Sequence, residues 1–503
     1  MKFLKLVRMT VVVSALGLGA FAARAQDADQ IKQLKLQLEQ MQVNFDRVVR
    51  EQQAQIEGLK KQMAAMQPGV SNSAVVAAVP TVLPTGPTPS APPDAVTKAW
   101  SPTDPIRIGK GGMYADLGLV GTFAVGGSTA NDIEGGTELG GHDPNQRGFT
   151  VQGVELNLQG AIDPYFRGNA NIAFLLDSGG DTSVELEEAW LETVSLPWNL
   201  QVRAGQMLAD FGRINTQHPH SWAFVDVPIV NGRLLGEDGL RNPGARVSWL
   251  APTPFYSELF FVVQNSQGGT AYSFRDDHGG ETFFDRVNGE RAVKTFPDML
   301  YSARYAASFD LSDTQTLLGG LSAVFGPNSS GDNTGTQIYG ADVYWKWKSP
   351  HAHGGFPFVS WQTEAMLRCY QAGAFNWDLN GNGVLDPGEQ DANGDDIPDV
   401  LPRETVTDWG LYSQLLWGFM PGWIAGLRGD FVTGEKADYE KLYGADMSRA
   451  MRWRISPNLT WYPSEFSKIR LQYNYDDRDL VGVDHSVWLQ FEFLLGAHAA
   501  HKF

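Results

Sequence analysis

Apolar and polar side chains alternate along the second part of the chain, from about residue 112 to its end. In the last segment, residues 484–503, Ser486, Gln490 and Glu492 share one face of this pattern. The other face is apolar and consists of Val487, Leu489, Phe491, Phe493, Leu495, Ala497 and Ala499. A period of two predicts a β-strand. Such a strand either buries its apolar face in a soluble sheet or, in a transmembrane barrel, turns that face to lipid and its polar face to a wet lumen.

The same alternation recurs along the chain and predicts the fold class. In residues 154–159 and 166–174, for example, glutamate, asparagine, glutamine and arginine alternate with apolar residues. These polar side chains are too large and too frequent for the dry core of a sandwich. We therefore predict an all-β protein, a transmembrane antiparallel β-barrel of about 16 strands. The predicted strands begin near Gly112, Gly148, Tyr165, Val184, Leu200, Gly244, Phe255, Met299, Thr314, Gln337, Phe356, Thr405, Trp423, Arg449, Phe466 and Asp484.

The lengths of the connections support the barrel. Connections after even-numbered strands are short, and only 349–355 is somewhat longer, whereas most of those after odd-numbered strands are long, such as 126–146, 208–242, 267–297 and 374–404. Outer-membrane barrels combine short periplasmic turns with longer outer loops, so this parity predicts that both ends of the barrel lie in the periplasm. Tryptophans near predicted strand ends would form an aromatic girdle. They are Trp198, Trp249, Trp345, Trp347, Trp417, Trp423, Trp461 and Trp488.

The first 104 residues follow other patterns. Residues 1–25 have a basic start, an apolar run and an Ala-Arg-Ala motif, which is typical of a signal peptide. In residues 26–67 apolar side chains recur at spacings of three and four, which predicts a periplasmic α-helical coiled coil. Self-association explains this narrow seam better than packing against the barrel. Residues 68–104 are rich in proline and alanine and predict an extended linker, so the barrel comprises residues 105–503.

Composition narrows the function further. The chain has 39 basic and 57 acidic residues and a net charge of −18, which disfavours nucleic acid as a partner. A single cysteine, Cys369, excludes an intramolecular disulfide. No long apolar run follows the N-terminal segment, which disfavours helical membrane spans, and the 55 glycines suit many short strands.

The connection 208–242, after the fifth strand, contains too many apolar residues to extend into water. We predict that it folds inward and constricts the lumen. Its acids would face basic side chains on the closing strands and create a transverse field that filters ions, although such pairs could equally brace the loop against the wall. The predicted constriction residues are Asp210, Arg213, His218, His220, Asp226, Arg233, Glu237, Asp238, Arg428, Arg452, Arg454, Lys468 and Arg470.

A candidate calcium site lies in the outer loop that follows the eleventh strand. Residues 378–389 fit the spacing D-x-[DN]-x-[DN]-G-x5-E, in which hard oxygen ligands at alternate positions surround one Ca2+ ion. We expect the ion to order the loop rather than to catalyse a reaction; a solvated polar loop is the alternative. The predicted ligands are Asp378, Asn380, Asn382, the Val384 carbonyl, Asp386 and Glu389, and a partial repeat follows with Asp391, Asn393, Asp395 and Asp399.

Histidine pairs raise the question of zinc. His218 and His220 lie in the predicted constriction, but a firm zinc site needs three or four ligands and the chain offers no cysteine pair. We therefore expect hydrogen-bonded or solvated histidines and keep Zn2+ as the alternative. Asp484, His485 and Ser486 do not indicate a hydrolase, because adjacent strand residues point to opposite faces. We expect no enzymatic activity.

Several of these features resemble known families. The architecture of nearly the whole chain is similar to the DcaP-type and phosphate-selective O/P-type porins, which are trimers. The final strand, ending in Phe503, resembles the terminal assembly signal of outer-membrane barrels. The texts LADFGRIN at 208–215, LLGEDGL at 234–240 and GAHAAHKF at 496–503 are similar to uncharacterised outer-membrane proteins described as zinc-regulated TonB-dependent receptors. Such receptors have about 22 strands and a plug, whereas the barrel predicted here has about 16 strands.

The pattern and the resemblance together predict an outer-membrane porin of a Gram-negative cell for passive diffusion of small hydrophilic solutes or ions. One alternative is a channel for zinc or metal-chelate uptake. Another is a structural envelope tether whose barrel is occluded. The expected partners are two further copies of the chain in a homotrimer, outer-membrane lipid, the barrel assembly machinery and, through the coiled coil, the cell wall.

Overall fold

The computed structural model describes residues 106–110, 113–275, 282–289 and 292–496. The predicted signal peptide, coiled coil and linker lie outside the described residues, as do Ala497, Ala499 and Phe503. In the described part of the chain, no helix is long and apolar enough to cross a membrane.

Sixteen strands form a closed antiparallel barrel. Each strand pairs with the next one along the chain, and the last pairs with the first, from Gly118 opposite Gly496 to Ser128 opposite Ser486. The predicted starts lie within three residues of the observed ones. The strands are β2 (Met113–Ser128), β3 (Gly148–Ala161), β4 (Phe166–Leu176), β5 (Thr182–Thr193), β6 (Leu200–Leu208), β7 (Arg241–Leu250), β8 (Tyr256–Gln264), β11 (Leu300–Ser312), β12 (Gln315–Pro327), β13 (Gly335–His353), β14 (Phe356–Ala372), β17 (Glu404–Met420), β18 (Trp423–Gly434), β19 (Arg452–Ser464), β20 (Ser467–Arg478) and β21 (Gly482–Gly496).

Shorter elements complete the described fold. Strand β1 (Ile106–Lys110) pairs with the first residues of β2 on the edge that β21 covers further along, so β1 continues the line of the closing strand. Two small hairpins and two α-helices lie in the described long connections between barrel strands. These are β9 (Thr282–Phe283), β10 (Arg286–Val287), β15 (Phe375–Asn376), β16 (Val400–Leu401), α1 (Ile229–Leu235) and α2 (Glu440–Tyr443).

The alternating apolar and polar residues of the sequence lie on the outer and inner faces of the barrel wall, respectively. In β21, Val487, Phe491 and Phe493 are exposed, whereas Gln490 and Glu492 are buried on the inner side. Exposed aromatic and aliphatic side chains likewise cover the outside of the other strands. The prediction that Trp488 belongs to the aromatic girdle is wrong, because Trp488 is fully buried. Its position in the strand shares the inward parity of Gln490, so it cannot reach the outer face.

The connections divide into a short and a long set. The turns after β3, β7, β11, β13, β17 and β19 span only two to five residues, and the predicted longer turn at 349–355 is reduced to residues 354–355 because β13 extends to His353. The connections at the other end are long in most cases, at 129–147, 209–240, 265–299, 373–403 and 435–451. The long set includes the segment that carries the candidate site.

Candidate functional site

Loop 209–240 follows β6 and returns to β7, and most of its residues are buried. Its apolar side packs in one cluster against inward-facing residues of β11, β12, β13, β14 and β17 and against two residues of the connection 265–299. This explains why the segment carries so many apolar residues, since each one covers surface inside the barrel rather than in water. The members of this cluster are Ala209, Phe211, Ile214, Val227, Val230, Leu234, Leu235, Leu240, Ala271, Phe274, Leu300, Val324, Ile338, Met366 and Tyr412.

Asp226 in this loop accepts hydrogen bonds from the opposite wall. Its carboxylate receives four, from Arg428 Nη2 at 2.6 Å, Arg454 Nη1 at 2.7 Å, Asn474 Nδ2 at 2.9 Å and Gln472 Nε2 at 3.1 Å. These donors lie on β18, β19 and β20, across the closed sheet from β6 and β7. Burial opposes the ionised form of Asp226, but the two guanidinium groups outweigh it and lower the pKa of this carboxyl.

Backbone carbonyls of the loop are held by the same wall. Arg470 donates to the Phe224 and Trp222 carbonyls, at 2.9 Å each. Lys468 Nζ donates to the His220 carbonyl at 2.9 Å and lies 2.7 Å from Glu492. The stretch 220–226 is therefore fixed by charged side chains on three adjacent strands, β18, β19 and β20.

The start of the loop is fixed at a third part of the wall. The Gly212 amide donates to Ser322 Oγ at 3.0 Å, and the Arg213 and Ile214 amides donate to the Glu364 carboxylate at 3.2 and 3.3 Å. Gly212 has a φ of 59°, and a Cβ added there would lie 1.6 Å from Glu364 Oε1. Glycine is required at this position by both conformation and contact.

Arg213 also directs its side chain at the wall. Its Nε donates to Gln362 Oε1 at 2.9 Å, and its guanidinium carbon lies 4.1 Å from the centre of the Tyr344 ring. Arg213 and Tyr344 stay partly exposed, as does Lys346, two residues further along β13. This side of the loop therefore retains solvent-accessible polar groups, in contrast to the buried contacts around Asp226.

A cluster of histidines and glutamates joins the loop to β3, β4 and β5. His218 Nδ1 lies 3.2 Å from Glu187 Oε2, and His218 Nε2 lies 3.1 Å from Glu188 Oε2. His220 Nδ1 lies 2.8 Å from Glu155 Oε2, and the two histidine rings stack with centroids 5.8 Å apart. Donor atoms of Glu155, Glu187 and His218 all lie within 4.8 Å of one another. Among the described residues, this is the group found with the spacing of a metal site.

Two neighbours complete the cluster. The Asn171 amide nitrogen contacts Glu187 and lies 3.3 Å from Glu155 Oε2 and 3.1 Å from His218 Nδ1. His142, from loop 129–147, lies 3.0 Å from the second oxygen of Glu187. Burial opposes protonation of His142, but this contact outweighs it and raises the pKa to about 9.

The glutamates are functional candidates that sequence reasoning missed. The pairing of β4 with β5 shifts between Asn171 and Ile172, so that Asn171 pairs with Glu188 and Ile172 with Leu186. Glu187 is thus the extra residue of a β-bulge, and both Glu187 and Glu188 are buried on the inner side. Two adjacent acids within an alternating strand are the sequence signal that could have indicated this bulge.

The other predicted constriction residues lie apart from this network. Asp210 lies 3.5 Å from Arg246 of β7, and Asp238 lies 3.9 Å from Arg241. Glu237 is exposed, Arg233 donates to the Ala450 carbonyl, and Arg452 pairs with Asp476 of the neighbouring strand. Of the predicted acids, the structure brings only Asp226 to the bases of the closing strands. Its predicted partners there are Arg428 and Arg454.

The candidate calcium loop has a compact arrangement of its own. Asp386 Oδ2 accepts hydrogen bonds from Asn380 and Asn382, at 2.7 Å each. These two bonds lower the pKa of Asp386. The Asp378 carboxylate accepts the Asn382 and Gly383 amides at 3.0 Å each, and Glu389 accepts the Leu379 and Asp386 amides at 2.8 and 3.0 Å. In the partial repeat, Asp391, Asn393 and Asp395 accept backbone amides in the same way, while Asp399 is buried and accepts the Ala392 amide.

Some known proteins are similar to this chain in structure or in sequence. No family model matches it. Similar solved structures include the outer membrane channel DcaP of Acinetobacter baumannii, with 13% identity over 77% of this chain and 99% of that chain and a TM-score of 0.48. They also include the anion-selective porin from Comamonas acidovorans, with 8% identity over 76% of this chain and 99% of that chain and a TM-score of 0.44. For OprB of Pseudomonas putida the identity is 12%, the coverage is 76% of this chain and 94% of that chain, and the TM-score is 0.43.

One curated relative is similar in sequence. It is an uncharacterised protein of Aquifex aeolicus (strain VF5), 31% identical over 390 residues, which are 72% of this chain and 73% of that protein. The chain belongs to the same family as this Aquifex protein.

Proposed function

We propose that the protein is an outer-membrane porin through which small hydrophilic solutes or ions diffuse passively. The observation that carries this proposal is loop 209–240, whose residues bond to inward-facing side chains on opposite sides of a closed sheet of sixteen strands, with Glu155 of β3 on one side and Glu364 of β14 on the other. The apolar outer face suits lipid, and the polar inner face suits a water-filled lumen.

In this proposal the loop constricts the lumen and leaves a passage beside it. Partly exposed polar groups would line that passage. Arg213, Tyr344 and Lys346 are candidates on one side, and Arg203 and Asp210, with side chains 17% and 16% exposed, are candidates on the other. Fixed charges of both signs in a narrow passage orient polar solutes and filter ions. The buried group around Asp226 would act differently, by holding the loop in place.

Liposome swelling tests the proposal directly. Vesicles that contain the purified protein should swell in isotonic solutions of small sugars and stop swelling as the sugar size increases. Protein-free vesicles and vesicles with heat-denatured protein are the controls. No swelling with the smallest sugars would contradict passive diffusion.

The alternatives each have a supporting observation. The cluster of Glu155, Glu187 and His218 favours metal handling, and the complete burial of Arg428, Arg454 and Arg470 favours an occluded barrel that serves as a tether. Swelling separates a porin from a tether. The homotrimer, the assembly machinery and the contact of the coiled coil with the cell wall stay predictions.

We also propose that Ca2+ orders residues 378–389. This proposal is supported by three carboxylates that lie close together, those of Asp378, Asp386 and Glu389. The side-chain amides of Asn380 and Asn382 lie between them. Six or more oxygen ligands of this kind are what Ca2+ requires.

Removal of calcium should therefore make loop 373–403 sensitive to protease. Without the ion, the clustered carboxylates repel one another and the loop opens. The measurement is limited proteolysis in Ca2+ and in chelator, for the wild type and for a double variant, Asp378→Asn with Glu389→Gln. The variant should be cleaved at the chelator rate in both conditions, whereas Asp313→Asn, in a turn at the other end of the barrel, should behave as wild type. Equal protection of the variant and the wild type by Ca2+ would refute the site.

A further inference from the structure

The histidines and glutamates between loop 209–240 and strands β3 to β5 form a group of potential metal ligands, which a contact that only holds a loop does not require. We propose that Glu155, Glu187 and His218 bind one divalent transition-metal ion of the Zn2+ class, with the Asn171 amide oxygen as a fourth ligand. The site would fasten the loop to strands other than those that hold Asp226. This inference concerns metal binding and does not depend on the proposed permeation.

The geometry of the donor atoms is the first support. One oxygen from each glutamate and one nitrogen from His218 lie within 4.8 Å of one another. Zinc binds such ligands at about 2.0–2.2 Å in a tetrahedron, so donors must be separated by roughly 3.2–3.6 Å when the ion is bound. Small side-chain rotations close the remaining gap. The three ligands come from β3, β5 and the loop, so one ion would join three elements.

Asn171 provides the second support. Its amide nitrogen is in contact with all three donor groups, so the amide lies beside them, where a fourth ligand would be. The residue is 1% exposed, and its Oδ1 is buried without a hydrogen-bond partner. Rotation of the amide by half a turn exchanges the two atoms and brings an oxygen, which is a metal ligand, to the face of the three donors. Once an ion is bound, the rotated Oδ1 has a partner, which it lacks in its present orientation.

The surroundings of the ligands are those of a metal site. His142 lies 3.0 Å from the other oxygen of Glu187, and Glu188 lies 3.1 Å from the second nitrogen of His218. Contacts of this type orient metal ligands and increase their basicity. Burial of two carboxylates in a shared space is costly unless positive charge is supplied, and a divalent cation would add to the charge that His142 brings to Glu187.

The donor set also selects the class of ion. An imidazole nitrogen with two carboxylates suits Zn2+ and related transition metals, whereas Ca2+ and Mg2+ prefer oxygen ligands alone. A pocket lined by His142, Glu187, His218, Asp238 and others adjoins the cluster and offers an access path.

Metal titration of the purified full-length protein tests this inference. After removal of bound metal with chelator and exhaustive dialysis, the protein is titrated with Zn2+ by calorimetry and with Co2+ by visible absorption. We expect one ion per chain and a Co2+ spectrum typical of four or five ligands. Failure of the wild type to bind either ion with a one-to-one stoichiometry would overturn the proposal, whatever any variant does.

Variants then assign the ligands. Glu187→Gln and His218→Gln should each weaken Zn2+ binding at least tenfold, and Asn171→Ala should weaken it less. The matched control is a double variant, His351→Ala with His353→Ala, which removes two histidines from β13 at the other end of the barrel and should bind as wild type. Heat-modifiable migration in gels verifies that each variant forms a barrel. Unchanged affinity in a folded His218→Gln protein, or loss of affinity in the control, would place the metal elsewhere. Glu389→Gln, with calcium present, should leave the Zn2+ affinity unchanged.

Discussion

Replacement of Asp226 by asparagine should release the middle of loop 209–240 from the barrel wall. The substitution keeps the shape of the side chain but removes the charge that faces Arg428 and Arg454. Loss of one partner from a buried ion pair costs about 3–5 kcal/mol. We expect the lower end of that range, because Asp430 and Asp476 still neutralise the two arginines. In a planar bilayer, the variant should show larger mean conductance and more current noise than the wild type.

Glu237→Gln is the matched control for this experiment. Glu237 is an acid of the same loop, but it is exposed. Its replacement changes the loop charge by the same amount without touching the arginines, so the conductance should stay close to that of the wild type. If both variants changed the current equally, the loop charge as such, rather than the docking at Asp226, would be responsible.

Replacement of Gly212 by alanine should have a comparable effect at the start of the loop. A Cβ at this position would overlap Glu364 Oε1, and the positive φ adds about 1–2 kcal/mol of strain for any residue other than glycine. Glu364 would have to move, and the amides of Arg213 and Ile214 would then lose their acceptor.

Limited trypsin digestion measures this displacement, since cleavage after Arg213 and Arg233 requires the loop to leave the wall. Gly212→Ala should be cut faster than the wild type. Gly429→Ala is the control, because a Cβ at Gly429 meets no atom within 4 Å. Equal cleavage rates for Gly212→Ala and the wild type would show that Glu364 does not hold the loop start.

The strands could be predicted from the sequence because one physical constraint acts on every second residue. Outward positions face an apolar environment and inward positions face polar groups, so each strand shows the alternation within its own few residues. The strand starts at Gly148, Leu200, Phe356 and Trp423 coincide with the predicted ones. The same rule would have excluded Trp488 from the girdle, since it shares the parity of Gln490. Proximity to a strand end alone does not place a side chain on the outer face.

The interior contacts could not be predicted in the same way. A loop that folds inward meets residues far away in sequence, and the register of those contacts depends on packing that has no local period. The sequence predicted acids of the loop against bases of β18 to β20, but only Asp226 reaches them, because Asp210 and Asp238 lie near β7. All three are acids of the same loop, so it is the path of the loop backbone that decides which of them reaches the bases.

The histidine and glutamate cluster was missed for two further reasons. Carboxylates also bind zinc, and those that complete this group, Glu155 and Glu187, lie far from His218 in sequence. In addition, strict alternation places Glu187 and Glu188 on opposite faces, whereas a bulge in β5 turns both inward. An insertion of one residue in the pairing is visible only when the neighbouring strand is known.

The central claim is that the barrel conducts and that loop 209–240 limits the current. Single-channel recording in planar bilayers tests it most directly, with the wild type compared to a variant in which residues 216–235 are replaced by a short glycine-serine linker. The account predicts stepwise openings for the wild type and steps of larger conductance for the shortened loop. A wild type without steps, together with a shortened variant that also stays silent, would contradict a porin. Steps of equal size in both proteins would show that the loop does not constrict the pore.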